Sequence, residues 1–359
     1  AQRIHQAMAQ TAPVDAPLIA ETGGLNVMIV DSSALPEQAV RDILASAFQS
    51  AGQRCSALRL LYIQEDVEER FLTMLTGAMD ALVVGDPWQL NTDVGPVIDA
   101  EALAGIEAHA ATWEKHGGVI KQLPKVSNAD FAQPTGTFMP PTLLRVSGIE
   151  DLDREIFGPV LHVATYKAEE LEAVVDRVNR RGYGLTLGLH TRVDQRVEDI
   201  TARAHVGNLY VNRNQIGAVV GSQPFGGEGL SGTGPKAGGP HYLSRFIRKA
   251  GEMVNAAAEV AGDAKAPGSM PLYDLAKAIS QLRPKKGPAP SSIIPILRAI
   301  IATLPETARP QALETLAGIN LPEDQDLPGP TGESNRLTHH PRGTLLCLGD
   351  VSCTSDNST

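Results

Sequence analysis

A chain of 359 residues, with 42% hydrophobic and 20% charged side chains, has the size and balance of a folded protein of one or two domains. Its 41 acidic against 31 basic residues give a formal charge of −10, which argues against a broad electrostatic grip on nucleic acid or anionic lipid and leaves a small molecule as the expected partner. The three cysteines, Cys55, Cys347 and Cys353, make neither a disulfide framework nor a zinc-site spacing, so a reducing cytoplasm is the expected compartment.

The opening AQRIHQAMAQ is polar, without an apolar signal core, and its spacing predicts an amphipathic helix over Gln2 to Gln10. Because the chain starts inside that helix and without Met, it reads as a piece of something longer. From Pro17, short apolar runs (LIAET, LNVMIVD) alternate with helical patterns (PEQAVRDILASAFQSAG, VEERFLTMLTGAMDAL). Such alternation predicts an α/β fold, a parallel or mixed sheet layered with helices. The pattern continues through VLHVATY, a helix at about 168–179, LTLGLHT, a helix near 195–204 and the strand NLYVNRN, before the glycine-rich loop IGAVVGSQPFGGEGLSGTGPKAGGP.

After Phe246 the text turns alanine- and proline-rich around a few short helical stretches, as in a linker or an appended module. The most apolar later run, Ile293 to Leu304, is short and broken by Pro295 and Arg298, so no transmembrane segment is expected. The end, LPGPTGESNRLTHHPRGTLLCLGD, reads as the start of another strand-bearing unit.

Two residues stand out chemically. Cys55, in FQSAGQRCSA, follows a helical pattern at a turn containing Gly52, a setting that presents a side chain to a cleft. Alone it would more often be a small buried hydrophobe than a nucleophile. Glu21, in LIAETGGLN, is expected to close an apolar strand beside a glycine turn, where partial desolvation poises a carboxylate as a base. Alone it would be an ordinary turn carboxylate.

Together, ETGG and GQRC resemble the glutamate and cysteine signatures of the aldehyde dehydrogenase superfamily. REIFGPV, with Glu155, Phe157, Gly158 and Pro159, and QPFGGEGLSGTG, around Phe225, resemble two further motifs of that family in the family's order. Over residues 17–246, phrases such as IVDSSALPEQ, DVGPVIDAEA, AHVGNLYVNRN and GPKAGGP are similar to one branch: the 1-pyrroline-5-carboxylate (L-glutamate γ-semialdehyde) dehydrogenases, including bifunctional proline utilization A flavoenzymes.

The resemblance implies NAD-dependent oxidation of L-glutamate γ-semialdehyde to L-glutamate, with Cys55 as nucleophile and Glu21 as base. It implies Glu155 on the nicotinamide ribose and Phe157 beside the nicotinamide. For the substrate it implies the backbone N–H groups of Gly217 and Ala218 on the α-carboxylate, a hydrogen bond from Ser56, and Phe225 against the methylene stem. Plainer readings stand beside these: an exposed glutamate and a core aromatic for Glu155 and Phe157, an ordinary loop at Gly217 and Ala218, a surface charge for Arg54. His162, His190 and His205 read as structural, and neither they nor the pair His339 and His340 have the spacing of a metal site, so no metal is expected.

On the same resemblance, residues 1–24 are the tail of the dinucleotide-binding domain, whose Rossmann-type remainder is mostly missing along with the family's oxyanion asparagine. Residues 25–246 are the catalytic domain, 247–327 a linker or helical insert, and 328–359 the start of a truncated C-terminal domain. FAD would belong only to a proline dehydrogenase domain absent here. The intact protein is expected to be a homo-oligomer, and this piece alone to be inactive if the cofactor half is required. The competing readings are a different semialdehyde dehydrogenase and a non-catalytic assembly or channelling module.

Overall fold

The run Val27–Val30 is apolar at every position and buried at every position, the mark of a strand covered on both faces. It forms β1 at the centre of the sheet in this computed structural model, which describes residues 1–13, 16–125, 136–247, 298–299, 301–302, 306, 309–318 and 324–340. Ahead of it, the helix α1 (Gln2–Thr11) buries none of its residues. The strands that follow are β2 (Leu60–Gln64), β3 (Val119–Gln122), β4 (Thr142–Arg145), β5 (Val160–Tyr166), β6 (Tyr183–Gly184), β7 (Thr186–His190), β8 (Asn208–Val211) and β9 (Glu228–Gly229). Between them run helices α2 (Pro36–Phe48), α3 (Glu68–Met79), α4 (Ala100–Lys115), α5 (Leu171–Arg180) and α6 (Asp194–Arg203).

The main sheet has the order β3-β4-β5-β2-β1-β7-β8, parallel except where β3 runs against β4. Alternate residues of each strand face opposite layers. Met28, Val30, Leu61 and Ile63 pack with α2, α3 and α4 through Ile43, Phe71, Leu75 and Ile106. Val27, Ile29, Leu60 and Tyr62 pack with α5 and α6 through Val174, Val178 and Ile200. Local chemistry sets the helix starts: Pro36 supplies a helical φ at the first turn of α2, and the Asp99 carboxylate accepts the Ala102 N–H at 2.8 Å to cap α4.

The α/β expectation therefore holds in layering, and the expected helices and strands between residues 27 and 211 form close to their expected positions. The helical pattern at 36–52 stops at Phe48, where the chain turns sharply. LIAET differs more. β1 already has β2 on one side and β7 on the other, so this segment cannot pair beside the strand it leads into. Instead Glu21 makes a single antiparallel bridge to Gly232, flanked by Thr22 N–H to Ser231 O at 3.0 Å and Thr233 N–H to Ala20 O at 3.0 Å.

The chain divides into two units, residues 1–248 and 249–359. In the second, the described residues include α7 (Arg309–Gly318) and an antiparallel pair, β10 (Gln325–Leu327) and β11 (Asn335–Leu337). Most of the expected linker at 247–327, and the tail holding Cys347 and Cys353, lie outside the described residues. Among the described residues no helix is long and apolar enough to cross a membrane.

Leu61, with no exposed surface, sits at the middle of β2 in the core beneath α2 and α3. Leu61→Ala is expected to cost about 2–5 kcal/mol through lost burial and the cavity left behind, read as a lower urea midpoint with an unchanged m-value.

Candidate active site

The strands β1, β2, β5 and β7 are parallel, so the segments that feed them, 21–26, 52–59, 155–159 and 183–185, meet at one edge of the sheet. Doubly wound sheets more often place ligands beyond the carboxyl ends of their strands. Here the chemically distinctive residues Glu21, Cys55 and Glu155 all fall at the amino ends.

Cys55 is exposed and Ser56, next to it, is buried. The approach to Cys55 is a left-handed turn, with φ of 54° at Ser50, 52° at Ala51 and 64° at Gly52. For the two non-glycine residues that conformation costs roughly 1–2 kcal/mol each. Gly52 is required for a further reason, since a Cβ there would run into the backbone carbonyl of Gly158.

Side chains from distant elements hold the turn in place. Asn26, buried at the head of β1, donates from Nδ2 to Cys55 O at 2.6 Å and to Ala57 O at 2.9 Å, while its Oδ1 accepts the Thr186 N–H at 3.3 Å. Gln215 donates from Nε2 to Ser56 O at 3.2 Å. Arg59 donates to Gly52 O at 2.7 Å and to Arg54 O at 3.1 Å. Buried irregular backbone needs such partners, because an unmet carbonyl costs as much as a lost hydrogen bond.

Glu21 is laced to the glycine-rich loop. Its Oε2 accepts the Gly227 N–H at 3.1 Å, and Gly226 and Gly232 pass so close that a Cβ on either would lie 3.0 and 2.9 Å from Oε1. Burial pushes the Glu21 carboxyl above its ordinary value, and the Gly227 N–H pulls it partly back. Burial also pushes the Cys55 thiol up, against the N–H groups of Ser56 and Cys55 itself, and the Glu155 and Glu21 carboxylates add to the rise. The thiol thus feels both acidic residues picked out in the sequence, and each disfavours its thiolate.

Glu155 uses both oxygens. Oε1 accepts from Arg59 Nε at 3.1 Å and Nη2 at 2.9 Å, and Oε2 from the Gly24 N–H at 3.2 Å. Phe157 is 45% exposed, with the Arg59 guanidinium 5.1 Å from its ring centroid. Gly217 has φ of 74° and open space around it, and Ala218 is half-buried. Gln215, two residues earlier, ties their loop to the cysteine turn. It can come that close because Gly188 of β7 lacks a Cβ, which would sit 2.9 Å from Gln215 Oε1. Phe225 is fixed by paired backbone bonds with Ala237 at 2.9 and 2.8 Å, beside Asn208, which bonds Pro224 O at 2.8 Å and the Gly226 N–H at 3.2 Å.

Three of these positioning residues, Asn26, Arg59 and Gln215, escape a reading of the sequence. Asn26 and Arg59 do leave a trace, as polar residues inside the apolar runs LNVMIV and LRLLYI. Gln215 leaves none. Of the three histidines expected to be structural, His162 and His190 lie in the core and His205 is half-buried. Burial lowers His162 to about 4, so its Nδ1–H donates to Arg59 O at 2.8 Å while Nε2 faces His109 Nε2 at 2.8 Å. His190, likewise lowered to about 4 by burial, lies 3.8 Å from the buried Asp42. Among the described residues no group of three or more histidine, cysteine or acidic side chains could hold a metal ion.

A cysteine, a partly desolvated carboxylate and a glycine-rich loop thus gather at the amino ends of a parallel sheet. The sequence profile of the aldehyde dehydrogenase family matches residues 1–250, and the chain belongs to that family. It is 48% identical over 344 residues to the bifunctional protein PutA of Escherichia coli, covering 95% of this chain and 25% of that protein. A crystal structure of a Bradyrhizobium japonicum proline utilization A variant superimposes with a TM-score of 0.64 at 52% identity, covering 68% of this chain and 24% of that one. A Thermus 1-pyrroline-5-carboxylate dehydrogenase with bound NAD gives a TM-score of 0.61 at 33% identity, covering 69% of this chain and 47% of that one. The chain therefore spans about a quarter of the length of the bifunctional relatives it matches.

Asn26→Ala removes the latch from Cys55 O, Ala57 O and the Thr186 N–H together. The expected result is a loss of about 1–3 kcal/mol and faster amide exchange through residues 54–58, with β5 unchanged in a hydrogen-exchange experiment.

Proposed function

We propose that this chain carries the nucleophile and base of an NAD-dependent dehydrogenase that oxidises L-glutamate γ-semialdehyde to L-glutamate. The observation that carries the reading is the shared anchoring of the Cys55 turn, with Asn26 and Gln215 tying it to the Glu21 segment and to the Gly217–Ala218 loop. The relatives named 1-pyrroline-5-carboxylate dehydrogenase and PutA supply the substrate class.

Cys55 Sγ bonds the aldehyde carbon as its proton departs, giving a thiohemiacetal. Glu21 is the acceptor we assign for that proton, a reading supported by its raised affinity, which makes it a better base than an ordinary carboxylate. NAD, when bound, accepts the hydride that converts the thiohemiacetal to a thioester. Glu21, having passed the first proton to solvent, takes a proton from water as the water oxygen attacks the thioester carbon; the C–S bond breaks, the departing thiolate takes up the Glu21 proton to restore the thiol, and the new carboxylic acid ionises to the carboxylate.

The residues present fit the cofactor's ribose. Glu155 Oε2 accepts only the Gly24 N–H and keeps a lone pair for a hydroxyl, with 19% of the side chain open, and the exposed face of Phe157 offers an apolar platform. For the substrate, the turn at Gly217, free of a Cβ, lets backbone N–H groups of Gly217 and Ala218 approach an α-carboxylate. Ser56 and Phe225 would complete the pocket around the aldehyde end and the methylene stem.

The pH dependence follows from the charges. Because Cys55 is raised, its iodoacetamide labelling should have a midpoint above the roughly 8.5 of a free thiol. Glu21→Gln removes a neighbouring anion, favours the thiolate and should move that midpoint down; a shift upward sinks the assignment. The same variant should slow deacylation of a p-nitrophenyl ester by about 10²–10⁴-fold, leaving an acyl burst. Glutamate semialdehyde should protect Cys55 from labelling at lower concentration than butanal does, and equal protection by the two would remove Gly217 and Ala218 from the carboxylate role.

A further inference from the structure

A fully buried arginine is rare and costly unless its charge is matched, and in a strand leader such as LRLLYI an apolar side chain of similar volume would ordinarily be as stable or more so. Arg59 is only 1% exposed, and what it touches is specific. Its Nε and Nη2 grip Glu155 Oε1, its Nη1 reaches Gly52 O and, at 3.4 Å, Gly158 O, its Nη2 also reaches Arg54 O, and its guanidinium lies over Phe157. Each of these side-chain partners belongs either to the cysteine turn or to the Glu155–Gly158 segment. The two segments also touch directly, where Gly52 passes Gly158 O with no room for a side chain.

We infer that Arg59 is a positioning residue that joins the Cys55 turn and the Glu155 segment into one unit and holds the Glu155 carboxylate inward, neutralised and in a fixed pose. The inference deepens the proposed function, on which Glu155 would meet the cofactor ribose, but the coupling itself is a property of the chain without cofactor. Two guanidinium N–H groups converge on one oxygen, Oε1, while the Gly24 N–H takes Oε2, so the carboxylate is held from both sides. Held so, Glu155 keeps Oε2 on Gly24 and leaves Cys55 facing a carboxylate whose charge is compensated. Without the fork, the carboxylate is uncompensated beside the thiol, and its field raises the barrier to forming the thiolate.

The test is a double-mutant cycle on the 359-residue chain, read by the pH profile of Cys55 carbamidomethylation. Peptide mass spectrometry separates Cys55 from Cys347 and Cys353. Arg59→Met should move the Cys55 midpoint up by about one pH unit, the size expected when a close charge loses its partner. In the Glu155→Gln background the same substitution should move it far less. Equal shifts in both backgrounds, or none, overturn the coupling, because a structural role for Arg59 has no reason to depend on the charge at position 155. If Arg59→Met does not fold, Glu155→Gln alone decides: it should raise deuterium uptake across residues 50–59 several-fold, and unchanged uptake overturns the inference. Neither measurement uses NAD or aldehyde, so the coupling can fail while the proposed oxidation stands, and intact coupling with no protection by glutamate semialdehyde would count against the substrate alone.

Discussion

The carbonyl oxygens of Gly52, Arg54, Cys55, Ser56 and Ala57 point out of any helix or strand, and the site depends on how they are met. A turn of this kind could not persist inside a protein with those acceptors unsatisfied. Asn26, Arg59 and Gln215 supply the donors, and each comes from a different part of the unit formed by residues 1–248. The left-handed backbone at Ser50 and Ala51 is tolerable for the same reason: the bonds that follow it offset its cost. Cys55 stands at the end of this turn.

Parallel strand order gives the remaining organisation. With β1 between β2 and β7, and β5 beyond β2, the segments leading into these strands share an edge, and that edge collects Glu21, Cys55 and Glu155 from widely separated positions in the chain. Gly188 and Gly52 let backbone and side chains approach where a Cβ would block them. The glycine-rich loop returns to the same edge through the bridge between Glu21 and Gly232, which is why the segment before β1 pairs with that loop and not with the sheet.

Much of this was legible in the sequence because it is local. Alternation of apolar runs with helical spacing marks the layers, and the stretches ETGG, GQRC and EIFGP mark the acids and the thiol. The strand expected at LIAET failed because apolar content alone does not say whether the sheet has a free neighbour to offer. Arg59, Asn26 and Gln215 were not legible because their work is to bond backbone far from them in sequence, and such bonds leave no periodicity. A buried arginine amid leucines was the nearest thing to a signal.

The acidic surroundings of Cys55 bear on a second chemistry, oxidation. Peroxide attacks the thiolate and reacts poorly with the neutral thiol, so a sulfur that rests as S–H enters the ladder toward sulfenic and sulfinic acid slowly. The carboxylates of Glu155 and Glu21, which disfavour the Cys55 thiolate, therefore also work against its oxidation.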